Sequence, residues 1–235
     1  MAKKFGAHWH NYRRSLDMWS QSLKPSLILD GIKSVRELII PARCGGCGKA
    51  GFELCPECMI LLRKAPHQLF PTVDTRCPLY ALGPYSGPWR NLILDIKIRR
   101  RYDLFPYAGA LLKAGVEYLT SGNFLEENWA VVSAPTSDRS RKKRGCDIVT
   151  EIGKFAGLEP IMVVKHTGQV ADSEGLGPAE RRKNLRGGIQ VISDPPKRVL
   201  LIDDVITTGA TIAATADVLR AHGSHVIGAV GICGA

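Results

Sequence analysis

Stretches whose apolar positions recur every three or four residues alternate along this chain with short, unbroken apolar runs. Ile28, Ile32, Val35 and Ile39 fall at helical spacing and predict a helix that Pro41 stops. Residues 59–64 predict a short helix. Trp89, Leu92, Ile93 and Ile96 predict another, ending in Lys97, Arg99, Arg100 and Arg101, and Leu111, Leu112, Val116 and Leu119 mark one over 107–119. Further on, Gly145 opens a helix through Ile148, Val149, Ile152 and Phe155, and Ile212, Ala216 and Leu219 mark the last. The runs at 129–133, 161–164, 199–202 and 225–230 read as buried strands. Strands alternating with helices predict an α/β fold: a mainly parallel sheet flanked by helices, with the strand at 199–202 central. Residues 1–26 have no sustained period and read as a poorly ordered basic arm. The stretch 65–88 holds five prolines and reads as a linker ending in a turn. The expected division is an arm (1–26), a helix plus a cysteine module (27–64), a linker (65–84) and an α/β domain (85–235).

At 235 residues, 45% hydrophobic and 23% charged, the chain can bury one substantial core and carry a small appended module. Its 32 basic against 22 acidic residues give a net charge of +10. Such a balance favours anionic partners, phosphorylated metabolites or nucleic acid, without choosing between them; a solvated basic surface is the plainer alternative. No apolar segment approaches the roughly 20 residues a membrane helix needs, and the N-terminus lacks the apolar core of a secretory signal. A cytoplasmic location without a membrane span is therefore expected.

Two Cys-x-x-Cys steps, Cys44 with Cys47 and Cys55 with Cys58, are separated by seven residues. Each step sets two thiolates on one turn, and four sulfurs complete a closed tetrahedral shell suited to structural Zn²⁺. A redox pair or an iron–sulfur cluster is the alternative. Cys77, Cys146 and Cys233 have no partner at ligand spacing.

The stretch 199–211 carries the densest chemistry. Its apolar run ends in Asp203 and Asp204, followed by Thr207, Thr208, Gly209, Ala210 and Thr211, and then a helix. The carboxyl end of a strand meets the amino end of a helix here, where N–H groups lack partners and the helix dipole favours an anion. Three threonine hydroxyls add donors, and the two carboxylates can accept hydrogen bonds from sugar hydroxyls. The strand followed by Asp-Asp-Val-Ile-Thr-Thr-Gly-Ala-Thr resembles the phosphoribosyl pyrophosphate (PRPP) motif of type I phosphoribosyltransferases. The resemblance implies that Asp203 and Asp204 hold the ribose hydroxyls as the catalytic pair and that residues 207–211 hold the 5′-phosphate. A dinucleotide-binding Rossmann turn and a P-loop are both missing.

A narrower likeness covers nearly everything from Cys44 onward. Paired Cys-x-x-Cys steps, Tyr85-Ser86-Gly87 leading into the helix of Lys97, Arg144-Gly145, Gln169, Glu180-Arg181 with Asn184, and the PRPP motif follow one another in the order of the ComF family. That family joins a zinc finger to a phosphoribosyltransferase-like domain and is associated with DNA uptake in natural transformation. One departure stands out: Cys146-Asp147-Ile148 replaces the family's Phe-Asn-Gln after Arg-Gly. The resemblance leaves two functions open. As an enzyme, the chain would bind PRPP with Mg²⁺, and Arg139, Arg144, Lys97 and Arg181 would meet the pyrophosphate; the Gly-rich basic stretch 165–188 resembles a hood that closes over it. As a binding module it would handle single-stranded DNA, alongside DNA-uptake proteins, along the basic segments 97–101, 139–144 and 181–186, with Trp89, Tyr102 or Trp129 as stacking residues, although Trp129 starts a buried strand and reads first as a core residue. PRPP, or another ligand containing ribose 5-phosphate, acting as a regulator would join the two.

Overall fold

The computed structural model describes residues 41–167 and 188–235. The arm, the helix over 28–39, and Gln169, Glu180, Arg181 and Asn184 lie outside the described residues. Within them the elements run α1 (Pro56–Leu62), β1 (His67–Leu69), β2 (Leu79–Pro84), α2 (Gly87–Lys97), a 3₁₀ turn (Tyr102–Leu104), α3 (Phe105–Ser121), β3 (Ala130–Ser133), α4 (Asp138–Arg144), α5 (Ile148–Phe155), β4 (Val164–His166), β5 (Ile189–Val191), β6 (Arg198–Ile206), α6 (Ala210–Ala221) and β7 (His225–Gly234).

Five strands form one sheet in the order β1-β2-β7-β6-β3. The pairs β2–β7, β7–β6 and β6–β3 are parallel, and only the edge strand β1 runs antiparallel. β4 and β5 form a separate antiparallel ribbon. The run in β6 is unbroken because helices cover both faces. Leu200 and Ile202 pack with Trp89, Leu112 and Ile152 of α2, α3 and α5, while Val199 and Leu201 pack with Ile212, Ala216 and Leu219 of α6. β6 is an interior strand, as its composition predicts, and its carboxyl end faces the start of α6.

Three local expectations change. The proline-rich stretch before residue 85 supplies two strands of the sheet, because Pro78 and Pro84 fall at the ends of a buried run, Leu79 to Leu82, that pairs with β7. Proline at a strand end removes no ladder bond the sheet needs. The strand expected at 161–164 is reduced to a single bridge from Ile161 to Val132, and β4 starts only at Val164. Ile161 and Met162, both 43% exposed, show why: among the described residues no second layer covers them. Finally, Gly145 does not open a helix. It ends α4 in the left-handed region (φ 82°), and Asp147 starts α5 by accepting a hydrogen bond from Thr150 N at 3.0 Å.

Candidate functional site

The strand–turn–helix forms as its residue types demand. Gly209 caps α6 with φ 77°, a conformation that costs a side-chain-bearing residue about 1–2 kcal/mol. A strap between β1 and β2 crosses the turn: Val73 N donates to Thr208 O at 3.1 Å, and a Cβ on Gly209 would stand 2.9 Å from Pro71 Cβ. Asp203 and residues 205–212 line one cleft. Thr207 and Thr208 are exposed in it, and Ala210 N donates to Thr208 Oγ1 at 3.4 Å.

The two acids are placed differently. Side chains of successive strand residues point to opposite faces. Asp203 borders the cleft, and its Oδ1 accepts from Asp204 N at 2.8 Å. Asp204 turns to α2, where its Oδ2 lies 2.8 Å from Lys97 Nζ, with side-chain exposures of 13% and 27%. Burial, and then the charge of Asp204, push the Asp203 carboxyl up to about 8. On the neighbouring strand β7, in register with Val205, Cys233 is fully buried, and its thiol is pushed up to about 12, first by burial and then by Asp204. One carboxylate of the pair thus already faces a lysine ammonium, while the other borders the cleft.

Of the cations expected at pyrophosphate, Lys97 is tied to Asp204. Arg139 is exposed on the first turn of α4, and Arg144 sits at its end with a buried Nε that has no hydrogen-bond partner among the described residues. The loop at Ala134, Pro135 and Thr136 borders a narrow cleft with Arg141, one of the cations at 139–144, and with Asp147. Asp147 has a local role as the α5 cap, a position where Asn and Asp serve equally well, so the exchange of the family's Asn for Asp leaves that turn intact.

The basic segments come together through the backbone. Arg100 Nη2 donates to Lys143 O at 2.6 Å, Tyr102 Oη to Arg144 O at 2.5 Å, and Arg101 Nη1 to Arg43 O at 2.7 Å. The expected stacking residues are not available for bases. Trp89 is buried, Tyr102 stacks on Phe105 with centroids 5.1 Å apart, and Trp129 packs against the core. Phe70, one residue before the strap's Pro71, is 87% exposed and is the aromatic the sequence reading missed. Its lack of any apolar periodicity was the available signal.

At the other end of α2, the four sulfurs of Cys44, Cys47, Cys55 and Cys58 all lie within 4.8 Å of one another, and those of Cys47 and Cys55 are 3.6 Å apart. A tetrahedral zinc with Zn–S of about 2.3 Å sets sulfurs about 3.8 Å apart, so the cluster is compatible with a closed structural zinc site. Gly46 N and Cys55 N donate to Cys44 Sγ at 3.3 and 3.2 Å. Against the opposing effect of burial, these N–H groups bring the Cys44 thiol down to about 6. A Cβ on Gly46 would lie 2.6 Å from Cys58 Sγ, so the turn needs glycine for that close approach. The knuckle is fastened to the body by Asn91 Nδ2 on Gly46 O at 2.7 Å and by Tyr107 Oη on Glu53 Oε2 at 3.1 Å.

Fold and sites define a mixed α/β protein with a mostly parallel sheet and a four-cysteine knuckle, and among the described residues no helix is long and apolar enough to cross a membrane. No family model matches the chain. Curated relatives do. DNA utilization protein YhgH of Escherichia coli K12 is 24% identical over 201 residues, covering 78% of this chain and 86% of the relative. Competence protein F of Haemophilus influenzae is 24% identical over 193 residues, covering 78% and 81%. The YhgH protein of Salmonella typhimurium is 24% identical over 204 residues, covering 78% and 86%. The chain is a homologue of these proteins, which bears out the ComF resemblance carried by the order of its motifs.

Proposed function

We propose that the chain serves DNA uptake or utilization by handling single-stranded DNA along a basic path formed by residues 99–101, α4 and the start of the cysteine knuckle. The relatives' names point to this class of process. The observation that carries the reading is the set of hydrogen bonds from Arg100 to Lys143 and from Arg101 to Arg43, which join three basic segments distant in sequence. Arg139, Lys142 and Lys143 stand exposed along the joined path, and phosphate contacts of this kind give sequence-independent, salt-sensitive binding. Phe70 supplies a stacking face beside the turn at 207–209.

Fluorescence anisotropy with a labelled oligonucleotide at rising salt tests this. Three cations on the backbone give a slope of log K against log salt of about −2, and Lys142→Glu with Lys143→Glu flattens it by about 1.4. Phe70→Ala weakens binding by about 1–3 kcal/mol without changing the slope. Affinity that ignores salt, or survives both charge reversals, refutes the path.

A second reading is favoured by the cleft that joins Asp203 to residues 205–212. In it the turn holds the 5′-phosphate of PRPP or of another ribose 5-phosphate, as substrate of a phosphoribosyl transfer or as a regulator of DNA handling. Calorimetric titration of ribose 5-phosphate into the zinc-loaded protein tests it, and absence of saturable binding removes it.

A further inference from the structure

We infer that Lys97 is the built-in counter-cation of the acidic pair, so that the cleft at 203–212 takes a ribose 5-phosphate ligand without a divalent cation. The inference rests on the reading of the turn at 207–211 as a phosphate site. A phosphate and two carboxylates cannot share a small volume without positive charge, and a protein that relies on Mg²⁺ leaves its carboxylates open to the ion. Here the geometry differs. Lys97 closes α2, and its ammonium reaches across to β6 and lies 2.8 Å from Asp204 Oδ2, with both side chains largely withdrawn from water. The pair that would repel the ligand with two negative charges therefore carries at most one.

Asp203, the acid that does line the cleft, is also moderated. Its Oδ1 accepts the Asp204 N–H at 2.8 Å, and burial, with the nearby charges of Asp204 and Asp147, favours its protonated form. A protonated Asp203 presents both a donor and an acceptor to a sugar hydroxyl. Lys97 thus acts through Asp204 as a positioning residue, and Asp203 and the turn make the contact.

Calorimetry decides the matter with ribose 5-phosphate as probe. The protein keeps its zinc, the buffer is freed of Mg²⁺ over chelating resin, and each titration is repeated with Mg²⁺ added. Wild type is expected to bind equally well, within about twofold, in both buffers. Lys97→Met is expected to lose on the order of tenfold or more without Mg²⁺ and to recover most of it with Mg²⁺, because the freed carboxylate then has a cation to share with the phosphate. Lys97→Arg keeps the charge and keeps Mg²⁺-free binding; this rescue, with unchanged zinc content and circular dichroism, separates the role from a structural one. Wild-type binding that depends on Mg²⁺, or Mg²⁺-free binding by Lys97→Met equal to that of wild type, overturns the inference while leaving the phosphate site standing. Absence of binding in both buffers removes the phosphate site and the inference with it.

Discussion

Replacing Gly209 by alanine strikes the point where strand, turn, strap and helix meet. The backbone there has φ 77°, and holding an alanine in the left-handed region costs about 1–2 kcal/mol. The new methyl would also stand 2.9 Å from Pro71 Cβ, 3.2 Å from Pro71 Cγ and 3.3 Å from Thr75 Cγ2. A proline ring has no rotamer in which to retreat, so the strap must move as a body and strain the Val73 N–H bond to Thr208 O. Overpacking of this kind costs about 1–3 kcal/mol, and the two terms together give about 2–5 kcal/mol, a large share of the stability of an ordinary domain. Urea denaturation should show that loss as a lowered midpoint at unchanged slope, with a melting temperature lower by about 4–20 °C. Pro71→Gly, combined with Gly209→Ala in a double-mutant cycle, should return about 1 kcal/mol as coupling. A Gly209→Ala protein within about 0.5 kcal/mol of wild type refutes both the strained turn and the contact.

The knuckle and the acid at the cleft give two further expectations. Metal analysis should return one zinc per chain, and Cys55→Ser should lower the melting temperature by on the order of 10 °C or more, because Cys55 and Cys58 are buried in the same core as Leu62, Trp89 and Leu104; a well-folded protein free of metal contradicts the site. Asp203 supplies a pH signature: its carboxyl is raised from 3.8 to about 8, so the folded chain holds a proton that the unfolded chain gives up, and the stability this contributes at low pH is lost as pH rises through about 8. Asp203→Asn lacks that loss, so its melting temperature relative to wild type should climb between pH 5 and 9, and a constant difference counts against the raised carboxyl.

Much of the fold was legible because its signals are local. The unbroken run Val199 to Ile202 announced a strand covered on both faces, and the stripe Trp89, Leu92, Ile93, Ile96 became the buried side of α2. What failed did so for long-range reasons. Leu79 to Leu82 form a strand only because β7, about 150 residues later, provides a parallel edge, and no pattern within the segment reveals that partner. The cysteine cluster was readable from spacing alone, since each Cys-x-x-Cys step is a local turn and the two steps are close in sequence. The acids were half readable: adjacency in sequence suggested a pair acting together, whereas the alternation of a strand sends Asp203 to the cleft and Asp204 to Lys97. That salt bridge spans 107 residues and leaves no trace in either local sequence.

Helix α2 is where these separate observations connect. Its buried stripe fixes the helix against the sheet, and its polar positions then have determined targets. Asn91 holds Gly46 O in the knuckle; one turn later the buried carboxylate of Asp95 faces Arg99 and Arg101, and Arg101 in turn holds Arg43 O; at the final residue Lys97 meets Asp204. The knuckle adds a second hold on the first turns of the helix whose last residue is Lys97. A knuckle of this size cannot bury a core of its own, and a structural metal is the usual way such a module becomes rigid. The cysteine cluster and the acidic pair thus share one helix, held to the knuckle through Asn91 and to β6 through Lys97, without touching each other.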